Sequence, residues 1–171
     1  MEILDLYDAR KNKLTKHIIR ETEKVKNGEY KQSVHIWIMN SKNEFLLEKR
    51  AYNMETNPGK WAFVGGVVDT GETSLEGALR ETREELGIDI DVNQIELMFT
   101  FKRKEDFVDV WIARKDIELS KLILQKEEVC EAKWVEIDEL ENMINREEFV
   151  PAIKLYYNFF KNLLYTFYFK K

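Results

Sequence analysis

The sequence has a single cysteine, Cys130, and only two prolines and seven glycines among its 171 residues. One cysteine excludes an intramolecular disulfide, and because no base lies near it in the sequence we expect an inert buried thiol. Few prolines and glycines leave few places for a linker, and the chain contains no repeat or low-complexity run. Since this length also suits one domain, we predict a single domain over residues 1–171.

A surplus of basic residues is also missing, since the net charge is −5 at pH 7. Proteins that bind a nucleic acid backbone generally carry a basic surplus, so we expect no nucleic acid partner. The first residues lack the apolar core of a signal peptide, which favours a cytoplasmic location. A substrate that carries phosphates would need a cation to mediate its binding to such an acidic chain.

Uninterrupted apolar runs are absent as well. The most apolar segment, residues 152–169, is interrupted by polar side chains at Lys154, Asn158, Lys161 and Asn162. A membrane-spanning helix needs about 20 largely apolar residues, so we predict no membrane partner. Residues 151–171 are instead predicted to hold a C-terminal helix, over 151–169, that packs on the domain. The same aromatic helix could alternatively cover a homodimer interface.

Stretches rich in β-branched and aromatic residues predict most of the strands, and residues 1–30 are predicted to form an N-terminal arm with a short strand or hairpin. The other predicted strands are 33–39, 44–48, 94–102, 107–114 and 130–136, and residues 57–72 are predicted to form a turn, a short strand and a loop. The predicted helices are 74–86, 137–144 and 151–169. Strands and helices mix without regular alternation. This pattern favours an α/β (α+β) fold with a mixed central sheet and helices on both faces, rather than a parallel doubly wound fold.

The helix at 74–86 has the clearest local signals. Apolar or methyl-bearing side chains recur at spacings of three and four, at Leu75, Ala78, Leu79, Thr82 and Leu86. Thr73 and Glu76 have the spacing of a capping box, and Gly87 stands where a helix would end. These signals predict an amphipathic helix with fixed ends.

A second face of this helix concentrates carboxylates. Glu84 and Glu85 follow Glu81 by three and four residues, so the three side chains can converge. Converging carboxylates repel one another unless a cation lies between them, and oxygen ligands suit Mg²⁺ or Mn²⁺. Arg80 can pair with Glu76 or Glu84, or reach back to Glu72. Taken alone, such a run is usually a solvated helix face with exchangeable ion pairs.

The spacing around this helix decides between these interpretations. Residues 66–88, GVVDTGETSLEGALRETREELGI, resemble the complete Nudix box of the Nudix hydrolase superfamily. Every position that the box fixes to one residue type is filled, and the only departure is Thr82, where an aliphatic residue is typical. The resemblance implies a Nudix-type α/β/α sandwich with a mixed central sheet and a loop–helix–loop catalytic motif.

The resemblance also implies a function and a set of roles. The chain would be a metal-dependent pyrophosphohydrolase that cleaves a phosphoanhydride bond in a nucleoside diphosphate linked to another moiety. Glu81, Glu84 and Glu85 would bind Mg²⁺ or Mn²⁺ together with the carbonyl of Gly65, and Glu81 and Glu84 would be catalytic. The structural residues of the motif would be Gly66, Glu72, Arg80 and Gly87.

Residues outside the box are less specific. Glu128 is our candidate for a general base from a distant loop, although Glu127 and Glu128 could be a surface acidic pair and a box glutamate could serve instead. Arg50, with Lys49, is a candidate for phosphate binding, although a strand end is often merely solvated. Trp61 is a candidate for substrate binding near the nucleobase or for the core, and His35 is expected to be a packed core histidine.

Two other functions fit parts of the pattern. The layout outside the box resembles the isopentenyl diphosphate isomerase branch of the same superfamily, but Gly65 stands where that enzyme needs a catalytic cysteine. Lys31 and Val67 stand where its histidine ligands are expected. A non-catalytic nucleotide-binding module is the other alternative, although the glutamates are complete. Substrate choice is expected to depend on residues 50–60 and 101–106.

Overall fold

The computed structural model describes residues 2–20 and 22–169. Within these ranges the chain forms nine strands and three α-helices. The strands are β1 (Ile3–Tyr7), β2 (Lys13–Ile19), β3 (Lys31–Met39), β4 (Phe45–Arg50), β5 (Trp61–Ala62), β6 (Val64–Val67), β7 (Ile95–Lys102), β8 (Asp106–Arg114) and β9 (Val129–Val135). The helices are α1 (Ser74–Leu86), α2 (Ile137–Asn145) and α3 (Tyr157–Leu163).

The central sheet is mixed, as the sequence predicted. Five strands lie in the order β5-β4-β3-β8-β7, while β6 pairs with β3 and β9 pairs with β4. The pair β3–β8 is parallel, and the other pairs of this sheet are antiparallel. Strand β3 is therefore the central element, and its residues face both β6 and β8.

Helices cover both faces of this sheet because side chains of β3 alternate between two cores. Val34, Ile36 and Ile38 pack in the core that α1 covers, where Ala78 and Leu86 are also buried. Trp37 and Met39 pack in the opposite core, beneath α2 and α3. The ring of Trp37 lies 3.7 Å from that of Phe63 and 3.8 Å from that of Phe160, centroid to centroid. This arrangement confirms the predicted fold class.

The N-terminal arm forms a separate two-stranded antiparallel sheet of β1 and β2. Its apolar side chains, Leu4, Leu6 and Ile18, pack with Val67 of β6 rather than in either main core. Tyr7 and Tyr30 exchange backbone hydrogen bonds of 2.7 and 2.9 Å. The arm therefore lies against the strand that leads into α1.

The C-terminal segment differs from its prediction. One helix over 151–169 was expected, but the structure has a 3-10 turn at Pro151–Leu155, then α3, then a π-helical turn at Leu164–Tyr168. The prediction of a continuous helix was wrong because Tyr156, at φ −135° and ψ −8°, leaves the helical region. Its ring is buried in the sheet core, where its hydroxyl meets His35 Nδ1 at 2.9 Å. Residues 170 and 171 of the predicted segment lie outside the described residues.

The segment packs on the domain through Ile153, Tyr157, Phe160 and Leu164. It also exposes Leu155, Phe159 and Phe167. The homodimer interface stays a prediction. In the described part of the chain, no helix is long and apolar enough to cross a membrane.

Candidate active site

Helix α1 has both ends fixed by local contacts. Thr73 Oγ1 accepts from the backbone N–H of Glu76 at 3.2 Å, and the N–H of Thr73 donates to Glu76 Oε2 at 2.7 Å. At the other end Gly87 has φ +69°, a left-handed conformation that glycine adopts without a steric penalty. The predicted capping box and helix end are therefore confirmed, and they fix which side chains face β6.

Arg80 connects this helix to the loop before it. Its Nε and Nη2 donate to the two carboxylate oxygens of Glu72 at 2.9 and 3.0 Å, and Nη2 also donates to the carbonyl of Val67 at 2.9 Å. Its Nη1 donates to Glu81 at 2.9 Å and to Glu84 at 3.0 Å. Of the partners that the sequence left open, Glu72 and Glu84 are bound. Such bidentate contacts hold the loop and helix in one geometry.

The glycines at 65 and 66 leave room for different neighbours. A Cβ at Gly65 would lie 2.5 Å from the carbonyl oxygen of Val34, so glycine lets β6 approach β3 closely. A Cβ at Gly66 would lie 2.1 Å from Glu81 Oε1, so glycine there leaves space for that carboxylate. The N–H of Gly65 also donates to Glu85 at 3.3 Å. The two glycines therefore bring the carboxylates of α1 against the backbone of β6.

A buried pair of carboxylates lies behind these glycines. Glu85 of α1 and Glu48 of β4 are each 2% exposed, and their side chains interact directly. Burial raises the pKa of Glu48 to about 8 and also raises that of Glu85, with repulsion from Glu81 and Glu128 adding to both. Burial likewise raises the pKa of Glu81 to about 7, although Arg80 opposes this. These groups resist ionisation while no cation lies among them.

Glu48 was not predicted from the sequence as a site residue, whereas its neighbours Lys49 and Arg50, at the end of the same strand, were. The signal present was an acidic residue next to buried apolar residues on a central strand, where a carboxylate is rarely found without a partner.

Glu128 reaches the same cluster from the loop before β9. Its side chain is partly buried and accepts from Gln125 Nε2 at 3.1 Å, whereas Glu127 is exposed. Its backbone carbonyl accepts from the N–H of Ala51 at 2.7 Å, which fixes the loop against the end of β4. Its charge acts on Glu48, Glu81 and Glu85. The structure therefore brings this predicted residue into the site, while its role stays a prediction.

The donor set fits a hard divalent cation. Among residues 2–20 and 22–169, no three Asp, Glu, His or Cys side chains already form a metal-binding cluster, and Arg80 holds Glu81 and Glu84 instead. However, Glu48 Oε2 is buried without a hydrogen-bond partner beside Glu85. An unpaired buried carboxylate oxygen among other carboxylates is costly, and a divalent cation would satisfy it.

A cleft of about 250 Å³ opens beside Gly65 and Gly66. Four of its lining side chains are cationic, namely Arg20, Lys31, Arg50 and Arg103. The one carboxylate among its described lining residues is Asp106, and apolar rings of Phe63, Phe149 and Tyr156 form a wall. The cleft therefore favours an anionic ligand next to the carboxylate cluster.

The two predicted substrate-binding residues, Arg50 and Trp61, lie in different environments. Arg50 lines the cleft, where its Nε donates to the carbonyl of Thr56 at 2.9 Å. Trp61 does not line it: its ring is 7% exposed in the sheet core, with Lys133 Nζ 4.3 Å from the ring centroid and Lys49 Nζ at 5.4 Å. The structure thus supports the core alternative for Trp61.

Two remaining expectations have different outcomes. His35 is packed against Tyr156 as expected, and burial lowers the pKa of this histidine to about 4, so that its ring is neutral at pH 7. It also lines the cleft. The expectation of a buried Cys130 was wrong, because the thiol is exposed. Val129, its neighbour in β9, takes the core position, and side chains alternate along a strand.

Comparison with known proteins agrees with this geometry. The NUDIX domain family model matches residues 29–155. An uncharacterised Nudix hydrolase of Listeria monocytogenes is 39% identical over 167 residues, which cover 97% of this chain and 95% of that protein. The crystal structure of DR0079 from Deinococcus radiodurans matches with a TM-score of 0.72 at 25% identity, over 85% of this chain and 90% of that one. The MutT protein from Methanosarcina mazei Go1 matches with a TM-score of 0.54 at 34% identity, over 67% and 82% of the two chains.

Proposed function

Because the chain belongs to the Nudix hydrolase family, which acts on nucleoside diphosphate derivatives, we propose that it is a Mg²⁺- or Mn²⁺-dependent pyrophosphohydrolase. It cleaves a phosphoanhydride bond in a nucleoside diphosphate linked to another moiety. The observation that carries this proposal is the meeting of buried carboxylates with a cationic cleft at Gly65 and Gly66. One part suits a divalent cation and the other suits the phosphates that such a cation binds.

In this proposal Glu81, Glu84 and Glu85 would hold the cation together with the carbonyl of Gly65 and the carboxylate of Glu48. A bound divalent cation would neutralise phosphate charge and lower the pKa of a water molecule. The high pKa values of the buried glutamates support this assignment, since carboxylates that resist ionisation alone are stabilised as anions by a cation.

The chain's own residues do the remaining work. Arg80 and Glu72 keep the loop and helix together, so that the glutamates hold their positions. Glu128 accepts the proton of the attacking water, and Gln125, which donates to its carboxylate at 3.1 Å, orients it. Arg50 binds phosphate oxygens at the rim of the cleft. A nucleoside monophosphate or a phosphate-bearing fragment then leaves.

The isomerase alternative meets a steric obstacle. That enzyme needs a cysteine at the position of Gly65, and a Cβ there would lie 2.5 Å from the backbone oxygen of Val34. A cysteine side chain would therefore require a different spacing between β6 and β3. The intact set of glutamates likewise favours hydrolysis over a binding module without activity.

The test is a hydrolysis screen over nucleoside diphosphate derivatives with Mg²⁺, with Mn²⁺ and with EDTA. An added phosphatase converts the phosphomonoester products to free phosphate, and parallel reactions without the protein correct for phosphate that the phosphatase releases from intact substrates. We expect metal-dependent turnover of at least one class, and a loss of at least about 100-fold in Glu85→Gln. Glu131→Gln, which removes an exposed carboxylate of β9, is the matched control and should retain full activity. Turnover in EDTA, or near-normal turnover by Glu85→Gln, would contradict the proposal.

A further inference from the structure

One end of the cleft lies away from the carboxylate cluster. His35 is paired with Gly65 across β3 and β6, whereas Lys31, four residues earlier on β3, is paired with Asp106 of β8. Lys31, Ser33 and His35 occupy every second position of the strand, so their side chains share one face, and all three line the cleft. Four residues of strand span roughly 13 Å. The backbone of Lys31 is therefore farther from that of His35, which is paired with Gly65, than the two phosphorus atoms of one diphosphate are from each other.

Two cations, Lys31 and Arg103, lie at this end, with Arg103 in the turn between β7 and β8. The charge of Arg20, from the end of the N-terminal arm, also acts on Lys31. Arg103 Nε donates to Asp106 at 2.7 Å, and Ser33 Oγ donates to the same carboxylate at 2.8 Å. Arg20 pairs with Glu2, and its charge also acts on Glu81 and Glu128, so it belongs to the side of the cleft that faces the carboxylate cluster. Across the part of the chain that the structure describes, Lys31 forms no ion pair of its own.

The environment of Lys31 disfavours its positive charge. Burial lowers the pKa of Lys31, and the charges of Arg20 and Arg103 lower it further, against the opposing effect of Asp106. Gathering like charges at a partly buried place is unfavourable, and an anion between them would reverse that cost.

The free donors define what this end can bind. Arg103 uses Nε and Nη2 for Asp106, so its Nη1 is free to donate, and the ammonium of Lys31 has three donors. Guanidinium and ammonium groups together suit the tetrahedral oxygens of a phosphate.

We propose that Lys31 and Arg103 bind a second phosphate of the substrate, separate from the diphosphate that is cleaved. The substrate class is then a nucleoside diphosphate joined to a phosphorylated group. The substrate class rests on the proposed function, but binding of an anion at this end of the cleft can be measured without turnover.

The experiment measures binding of ribose 5-phosphate and of ribose by calorimetry, with EDTA present so that no divalent cation contributes. Wild-type protein should bind ribose 5-phosphate at least about tenfold more tightly than ribose, because hydrogen bonds to charged groups are the stronger kind. Lys31→Gln should remove most of that preference and leaves the Arg103–Asp106 pair in place. Lys104→Gln, which removes a charge beside Arg103 from a lysine that is 93% exposed, is the matched control and should bind as wild type.

The outcomes separate the two proposals. Equal binding of ribose and ribose 5-phosphate by the wild type overturns the subsite, even if metal-dependent hydrolysis is found. Unchanged preference in a folded Lys31→Gln also overturns it. Preferential binding that depends on Lys31, in a protein without hydrolase activity, supports the subsite and contradicts the proposed function. If Lys31→Gln does not fold, Lys31→Arg keeps the charge and must retain the preference.

Discussion

We expect alanine at Gly65 and alanine at Gly66 to damage the protein in different ways, although both substitutions add the same methyl group. At Gly65 the new Cβ would lie 2.5 Å from the carbonyl oxygen of Val34 and 3.0 Å from Cδ2 of His35. The backbone oxygen cannot move without disturbing the pairing of β3 with β6. Overpacking of this kind costs about 1–3 kcal/mol. For a chain of this size that corresponds to a melting temperature lower by roughly 2–12 °C.

At Gly66 the obstacle is the end of a flexible side chain. The new Cβ would lie 2.1 Å from Glu81 Oε1, so the carboxylate must move and lose its contact with Arg80. That lost ion pair costs up to about 1 kcal/mol. Replacing glycine within a strand returns roughly 0.5–1 kcal/mol. We therefore expect stability within about 1 kcal/mol of wild type. Activity should fall by about 100-fold, because a catalytic group is displaced.

The assay combines urea unfolding in EDTA with kcat/KM at saturating Mg²⁺ for both variants. Gly65→Ala should show the larger loss of stability and Gly66→Ala the larger loss of activity per folded molecule. Wild-type kcat/KM in Gly66→Ala would refute the position assigned to Glu81. Unchanged stability in Gly65→Ala would refute the close approach of β6 to β3.

Three further predictions concern titratable groups of the site. Glu48→Gln should stabilise the metal-free protein at pH 7–8 while lowering activity. Burial raises the pKa of Glu48 from 4.5 to about 8, so the wild type loses stability as pH rises from 4.5 to about 8, whereas glutamine does not ionise. Unfolding in EDTA across this pH range checks the prediction. Glu128→Gln should lower kcat and leave metal affinity unchanged in a metal titration. An unaltered rate would support the alternative interpretation of Glu128 as a surface charge. The wild type should lose up to about 3 kcal/mol of stability through His35 as pH falls from 6.5 to 4. The pKa of His35 is lowered to about 4 in the folded protein, so the unfolded chain binds the proton first and is stabilised relative to the folded state. Urea unfolding at both pH values should show no such contribution in His35→Gln.

The parts of the site that the sequence predicted are those set by local rules. The capping box at Thr73 and Glu76 and the left-handed Gly87 act within one turn of α1, so their spacing fixes the helix ends without reference to the rest of the fold. The contact of Arg80 with Glu72 spans only eight residues.

The parts that escaped prediction depend on long-range pairing. Glu48 is buried because it is paired with Ala62 of β5 on one side and with Ala132 of β9 on the other, and no local pattern shows which strands flank it. Lys31 enters the cleft because β3 begins two residues before the predicted strand and pairs in parallel with β8. Tyr156 interrupts the predicted C-terminal helix because its hydroxyl meets His35, 121 residues away. Tertiary packing outweighs helix propensity at such positions.

The N-terminal arm shows how far the site extends beyond the matched residues 29–155. Asp5 of β1 accepts from Thr70 Oγ1 at 2.7 Å and from the N–H of Gly71 at 3.0 Å, in the loop before α1. The next residue, Glu72, holds Arg80, and Arg80 holds the carboxylates of α1. An unbroken series of charge-assisted contacts therefore joins the arm to the proposed metal ligands. Because the order of such ligands depends on the groups that support them, the arm belongs to the site in physical terms, although it lies outside the family match.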